Sequence, residues 1–548
     1  MKASILHSLN RIKRRGLIVF VLLVIYNSDI LAYQDSYGID YQLNYDTREA
    51  QVIKSKNIYD PHDIEPSGDI VIKDTINTIN GTFTVKYVGK SAFLDCKNIT
   101  SVSFPKTIKS IEANAFWGCI GLTSITIPDS CHSIRENAFY DCAGLTEIVI
   151  PNSVVNIEKN AFYGCNLKSV HVTNLASWYN IKFGNAYSNP LFGASLYLKG
   201  EKVTELVIPN SVTTINDYAF YGCTGLISIT IPNSVTSINN YTFYGCTELT
   251  TVSMENSVRL IGAGCFSSCK NLTNIILSNQ LKYIEEMAFY FCEKLISITI
   301  PSSVKSIGSH AFSHCSNLEY IRVDEGNAVY DSREDCNAII ETNSNTLIRG
   351  CKSTIIPESV VKIGFAAFAG SSGLENVNIP HSVTSIGGSA FSNCSNLTSI
   401  NLHNLLTEIE EYSFYYCQNL ANITIPESIT TIGQGAFLGC NSLTNVYCLS
   451  DFPPAVGDYC FDETTYSNAR LWVPIGFKYQ YQKADVWKNF KYISEHDMDP
   501  NSVKELNKTA ITPTEIYDVN GRPCTSMDKP GIYLIRQSDG SVSKKLVK

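Results

Sequence analysis

Phenylalanine recurs in this chain at positions 93, 116, 139 and 162, then at 220, 243, 266, 289 and 312, then at 368, 391, 414 and 437, and within each run the interval is 23 residues. A unit that short cannot bury its own apolar side chains, so a fixed period of roughly 20 to 50 residues points to units stacked on one another. One unit runs Leu226, Ile229, Ile231, Pro232, Val235, Ile238, Phe243, Gly245, Cys246, and the next opens at Leu249. Leu226, Ile229 and Ile231 leave Ile227, Ser228 and Thr230 between them, so the Ile-x-Ile part predicts a short strand with alternate residues turned inward. Pro232 has no N–H and ends that strand, and Asn233 and Ser234 supply turn chemistry. Val235 and Ile238 predict a second extended or tightly turned segment, with Phe243 filling the coil. Neighbouring coils would lie about 4.8 Å apart as parallel strands. The expected fold is a β-rich solenoid of 23-residue coils with short parallel strands, capped at both ends and followed by a small β tail.

The departures from the period set the domain plan. Phe162 and Phe220 are 58 residues apart and Phe312 and Phe368 are 56 apart, so each gap holds one unit plus an insert. The solenoid is expected over 91–448, with inserts at about 168–204 and 324–354 read as longer coils or protruding hairpins. Residues 33–90 hold short strand-like pieces suited to an N-terminal cap, and 449–500 suit a C-terminal cap with a helix around Lys478 to Phe490. Residues 501–548 read as a linker and a small terminal segment. Upstream, Arg11, Lys13, Arg14 and Arg15 precede the apolar run 16–26, and Ala32 ends a plausible cleavage site, so 1–32 reads as a signal peptide, an uncleaved anchor being the alternative. A formal net charge of −8 without a basic run disfavours nucleic acid or an anionic membrane as the main partner. Once the leader is removed, no membrane insertion is expected.

Of the 19 cysteines, twelve stand three residues after a repeat phenylalanine, at 96, 119, 142, 165, 223, 246, 269, 292, 315, 394, 417 and 440, and Ser371 fills the same slot once. A nucleophile acts once per site with its own base, so twelve equivalent copies argue against catalysis. Zinc sites need clustered ligands, which one thiol per coil does not supply. Disulfides between adjacent coils meet the Cα requirement, but parallel Cβ vectors keep the Cβ atoms near about 4.8 Å, too far apart for the usual bridge. The expected role is a small buried thiol that weakly bonds its backbone. Cys336 and Cys351, both in the second insert, form the one candidate disulfide.

No motif for a nucleotide, a catalytic serine or a metalloprotease is present, and no cofactor is expected. His310 and His314 lie beside Cys315, but a metal reading lacks a helix and a fourth ligand, so both are taken as partly exposed coil residues. The outward strand positions hold Thr251, Ser253, Asn274, Ser297, Thr299, Ser399 and Asn401, interrupted by Tyr320 with Arg322 and by Tyr447. Adjacent Thr and Ser stabilise a sheet face by cross-strand contact. The same flat polar face can also hold a protein ligand, and Tyr and Arg are favoured anchors there. These ten residues are the candidate binding face.

The unit LISITIPNSVTSINNYTFYGC at 226–246 resembles the BspA-type leucine-rich repeat family of secreted or surface-attached proteins, and the likeness extends over roughly 85–450. The wording of both inserts and of VPIGFKYQYQKADVWKNF at 473–490 is similar to that of family members. The tail at 516–548, with Asp518 to Arg522 and the Gly531-Ile-Tyr strand, resembles a C-terminal sorting domain of the type IX secretion pathway. These resemblances imply a secreted or outer-surface protein that adheres to host extracellular matrix or to other cells, without catalysis. A structural surface-layer protein is the first alternative, and a secreted enzyme with its site in an insert or cap the second.

Overall fold

A computed structural model of the chain describes residues 31–35, 38–54 and 66–497, with tail strands at 513–518, 523–524, 531–537 and 542–547. The leader therefore lies outside the described residues except for Leu31 and Ala32, which open a strand, Leu31–Gln34. The first part of the linker, 501–512, also lies outside them.

The observed fold is the β-rich solenoid that the period requires. Each coil has three sides. On the first, Ser228–Ile231 pairs in parallel with Thr251–Met254, Ile229 facing Val252 and Thr230 facing Ser253 across the ladder. Alternation buries Ile229 and Ile231 and leaves Thr230 exposed. Pro232 then turns the chain, its carbonyl accepting from Val235 N at 3.1 Å. The second side is the short strand Ser237–Ile238, parallel to Leu260–Ile261.

The third side carries the phenylalanine and is a ladder made of turns. Tyr218, Phe220 and Gly222 each donate their N–H to the following coil, to Asn240, Thr242 and Tyr244 carbonyls at 3.0, 2.8 and 2.6 Å. The intervening backbone curls back because the residues two before and two after the phenylalanine take left-handed φ, 62° at Tyr218 and 71° at Gly222. Glycine enters that region freely, whereas an L side chain costs about 1–2 kcal/mol. Tyr218, Tyr241, Met287, Phe291 and Tyr412 nonetheless occupy it. Stacking offsets part of the cost where rings face each other, as for Tyr218 and Tyr241 at 5.5 Å.

Inside, the repeat phenylalanines stack ring on ring. Centroids lie 5.2 Å apart for Phe116 and Phe139, 5.5 Å for Phe243 and Phe266 and 5.4 Å for Phe414 and Phe437. The ladder cysteines sit beside them. Their thiols do bond backbone, but not that of their own turn: Cys246 Sγ donates to Phe220 O at 3.3 Å, Cys269 to Phe243 O at 3.2 Å and Cys440 to Phe414 O at 3.1 Å, each reaching back 26 residues. The same carbonyl accepts the N–H of its own coil's cysteine, as Phe243 O does from Cys246 at 3.2 Å. Both lone pairs of a buried carbonyl are thus used, and consecutive coils are tied together.

Both ends are covered. At the N-terminus, Gly81–Val88 pairs in parallel with Ser110–Ile111, and Gly68–Val71 pairs with Ile99–Ser103, so the cap extends both strand ladders while Tyr41 and Phe83 close the core. At the C-terminus, Arg470–Pro474 adds to Asn445–Cys448, and a helix, Lys478–Lys483, with a turn at Trp487–Asn489 lays Tyr481, Trp487 and Phe490 over the last coil. The helix ends before the expected limit at Phe490 because Ala484 leaves helical conformation, with ψ at 137°.

The inserts differ. The first keeps both ladders, with Lys182–Phe183 on the second side and Ser195–Leu198 on the first, then folds Glu201–Lys202 back antiparallel. The second leaves the coil: Tyr330–Asp331, Ala338–Glu341 and Thr346–Gly350 form an antiparallel meander that rejoins through Lys362–Ile363. At that joint the phenylalanine stack is broken and the buried core divides into two clusters. Arg349, only 3% exposed, fills the joint: Nη1 donates to Ala369 O at 3.0 Å and, at longer range, to Ala366 and Ala367 carbonyls, and Nη2 donates to Ser371 Oγ. Ser371, the one departure from the cysteine ladder, thus faces the buried guanidinium. The tail strands form a four-stranded antiparallel sheet, Gly531–Gln537 pairing with Pro513–Asp518 and with Val542–Val547.

Candidate functional site

The first-side strands set the candidate face, because alternation fixes which residues leave the core. Thr251, Ser253, Asn274, Ser297, Thr299, Tyr320 and Arg322 are exposed in successive coils, and Ser399 and Asn401 are exposed beyond the second insert. Thr251 lies opposite Asn274 in the ladder, Ser297 opposite Tyr320 and Thr299 opposite Arg322. Other threonines of the same strands have a holding role. Thr250 donates its hydroxyl to Ile227 O at 3.0 Å and Thr273 to Thr250 O at 3.1 Å, one coil back in each case. Ser399 Oγ is bonded across the ladder to Asn376 Oδ1 at 3.1 Å.

Tyr447 does not belong to this face. It is 3% exposed because Trp472 of the C-terminal cap stacks on it, centroids 6.1 Å apart and planes 7° from parallel. The sequence places Tyr447 at an outward position, and the cap then covers it. Cys336 and Cys351 are separate free thiols. Cys351 Sγ is directed to Glu319 O at 3.2 Å and Asn337 O at 3.4 Å, and Cys336 Sγ to Ala338 O, so each sulfur is engaged with backbone instead of its neighbour.

Four of the face residues come together in one place. Ser297, Thr299, Tyr320 and Arg322 line a groove of about 400 Å³ whose other wall is the start of the second insert, with Glu325, Ser332, Asp335 and Asn337. Tyr320, one of the lining residues, is 56% exposed. The insert is tied to the strand by a hydroxyl: Ser332 Oγ accepts from Val323 N at 3.0 Å and donates to Ala338 O at 2.7 Å. Arg322, Glu325 and Asp335 enter no ion pair among the described residues. No repeat position of the sequence marks the wall residues. Their one signal is the polar run DSREDCN at 331–337, whose folding back onto the preceding strand no periodicity records.

The histidines fall elsewhere. His310 and His314 occupy the two left-handed positions around Phe312. His314 stacks on Phe291 at 4.3 Å and His310 meets Phe365 edge-on at 5.1 Å. Burial, then Arg349, pushes His314 down to about 4. Among the described residues no group of three or more His, Cys, Asp or Glu side chains is arranged to hold a metal ion. Burial pushes Cys440 up to about 12 and Cys223 up to about 11, which suits packing and not nucleophilic attack, whereas Cys315, despite its burial, is shifted down by a hydrogen bond with Cys292 and by nearby Arg349. Among the described residues no helix is long and apolar enough to cross a membrane.

The chain is similar to a leucine-rich cell surface protein from Faecalibacterium prausnitzii at 24% identity, covering 87% of this chain and 98% of that one with a TM-score of 0.37. A leucine-rich repeat protein from Bacteroides ovatus is 25% identical over 78% of this chain and 94% of its own, with a TM-score of 0.42. The pneumococcal vaccine antigen PcpA is 17% identical over 85% and 97%, with a TM-score of 0.33. No curated protein matches the chain. The profile of the BspA type leucine rich repeat region matches in six copies over residues 72–189, 192–319 and 340–468. That match spans well over half of the sequence, so the chain belongs to the BspA-type leucine-rich repeat family.

Proposed function

We propose that this protein is a secreted or outer-surface adhesin that binds a partner on host extracellular matrix or on another cell through the exposed first-side face, without catalysis. The observation that carries this reading is the groove at Tyr320 and Arg322, where four face residues and the second insert converge. An exposed aromatic beside an unpaired guanidinium on a rigid floor has the composition of an interface anchor. The floor is rigid because every strand beneath it is paired in register and its inward isoleucines are buried. Family membership supports a binding role, and the leader and the tail, read as a type IX sorting segment, supply the route to the surface.

The test is the binding of the purified protein to a panel of immobilised matrix proteins, with wild type compared against Tyr320→Ala combined with Arg322→Ala. Saturable binding weakened in the double variant supports the reading. Flat responses across the panel, with concentration-dependent self-association in their place, identify a structural surface-layer protein instead.

A further inference from the structure

We propose that the groove beside Tyr320 is a carbohydrate subsite that takes a neutral oligosaccharide carried by the partner. The inference rests on the adhesion reading and names the chemistry that the site recognises. Three features lead to it.

The first is the free ring. Two other outward aromatics of the first-side strands are already stacked, His171 on Tyr197 at 4.8 Å and Tyr447 on Trp472. Tyr320 has no ring against it among the described residues, and its cross-strand neighbour is the small Ser297. An exposed ring face over a short side chain is a platform for the apolar C–H face of a pyranose, a ligand with one apolar and several polar aspects.

The second is the polar inventory. Around that ring stand one guanidinium, Arg322, two carboxylates, Glu325 and Asp335, and the amide of Asn337. The charged groups have no ion-pair partners among the described residues. Carboxylates accept and a guanidinium donates, so together they satisfy hydroxyl groups, each of which both donates and accepts. Two carboxylates against one guanidinium disfavour a sulfated or sialylated chain, which among oligosaccharides points to a neutral one. A volume of about 400 Å³ is within the usual range of small-molecule sites, roughly 300 to 1,000 Å³.

The third excludes the obvious rival, a peptide added as an extra strand. Strand addition needs a free backbone edge. Here Val323 N–H is taken by Ser332 Oγ, and Glu319 O receives the Cys351 thiol. The edge of Tyr320–Val323 is closed at both ends by side chains of the insert.

The experiment uses the full purified chain, an array of neutral hexose and N-acetylhexosamine oligosaccharides with sulfated and sialylated controls, and a matrix glycoprotein before and after enzymatic removal of its glycans. The inference expects binding to neutral members of the array and loss of glycoprotein binding on deglycosylation. Tyr320→Ala should raise Kd by roughly tenfold or more, as for an anchor residue, while Tyr320→Trp retains binding. Unchanged thermal unfolding of both variants separates loss of the subsite from loss of the fold. Equal binding to the deglycosylated protein, or no neutral oligosaccharide bound, overturns the subsite and leaves adhesion standing. Absence of binding to the glycoprotein in either form overturns both.

Discussion

Replacing Arg349 by methionine should leave the protein as stable as before or make it more stable. The guanidinium is buried, and among the described residues it has no carboxylate within ion-pair distance and no hydrogen-bond partner for its Nε. Of its bonds only that to Ala369 O, at 3.0 Å, is short, and those to Ala366 O, Ala367 O and Ser371 Oγ are 3.4 to 3.5 Å. One good charged hydrogen bond is worth about 1.5–3 kcal/mol. The carbonyls are not orphaned by its loss, since Ala367 O also accepts Gly350 N at 2.9 Å and Ala369 O accepts His314 N at 3.0 Å. Against this stands the desolvation of an unpaired cation, several kcal/mol after relaxation, and even buried ion pairs replaced by apolar groups of like volume are often neutral or gain about 1–4 kcal/mol. Arg349→Met is therefore expected between neutrality and a gain of about 2 kcal/mol. Arg349→Lys keeps the charge but loses the planar fork and should be the worse of the two. Urea unfolding with hydrogen exchange at the Gly350 and His314 amides reads both the global and the local effect. A loss above about 2 kcal/mol for the methionine variant, or a methionine variant less stable than the lysine one, refutes the reasoning.

The remaining predictions concern other parts of the coil. A Cβ at Gly144 would lie 2.1 Å from Ile120 O, so Gly144→Ala should cost about 3 kcal/mol or more. Gly245, at φ 68° with its nearest neighbour 3.7 Å from an added Cβ, should lose only about 1 kcal/mol as alanine, and equal costs at the two sites would count against the close-approach argument. His314, held near 4 against an ordinary 6.5, protonates first in the unfolded chain, so stability should fall as pH drops from about 6.5 to about 4. His314→Asn suits the left-handed backbone and should flatten part of that slope in melts at pH 7 and pH 5. Thiol titration of the denatured, unreduced protein should find at least the twelve ladder cysteines free, and a count near zero would overturn the packing role.

How much of this was legible in the sequence depends on whether the period carried it. The inward Leu226, Ile229, Ile231, Val235, Ile238 and Phe243 are all buried because a stack repeats one environment, and the repeat announces it. The left-handed turns were hidden, since Tyr218, Met287 and Phe291 sit where the local steric rule favours glycine, and neighbouring coils override that preference. The partner of each thiol was hidden too, because a carbonyl 26 residues back is one coil away in space and sequence spacing alone does not say which carbonyl faces it. Tyr320 and Arg322 were found as breaks in a Thr and Ser pattern. The wall opposite them and the cover over Tyr447 come from segments without a period, whose placement rests on tertiary contact.

Because the first-side strands pair in register, a given outward position returns at every coil, about 4.8 Å further on. The face is in effect a ruler, and the two inserts interrupt it: one run ends at Glu201–Lys202, a second at Tyr320–Val323, and a third resumes at Asn376–Val377. Strand pairing also lapses between Asn274–Ile276 and Ser297–Ile300 and between Ser399–Ile400 and Asn422–Ile425. Gain or loss of a whole 23-residue unit lengthens or shortens a run without changing its graduation, since a cysteine-bearing unit brings its own thiol donor and carbonyl acceptor. The groove at Tyr320 stands at the end of the middle run, so the number of coils in that run fixes how far along the ruler a partner seated there can be read.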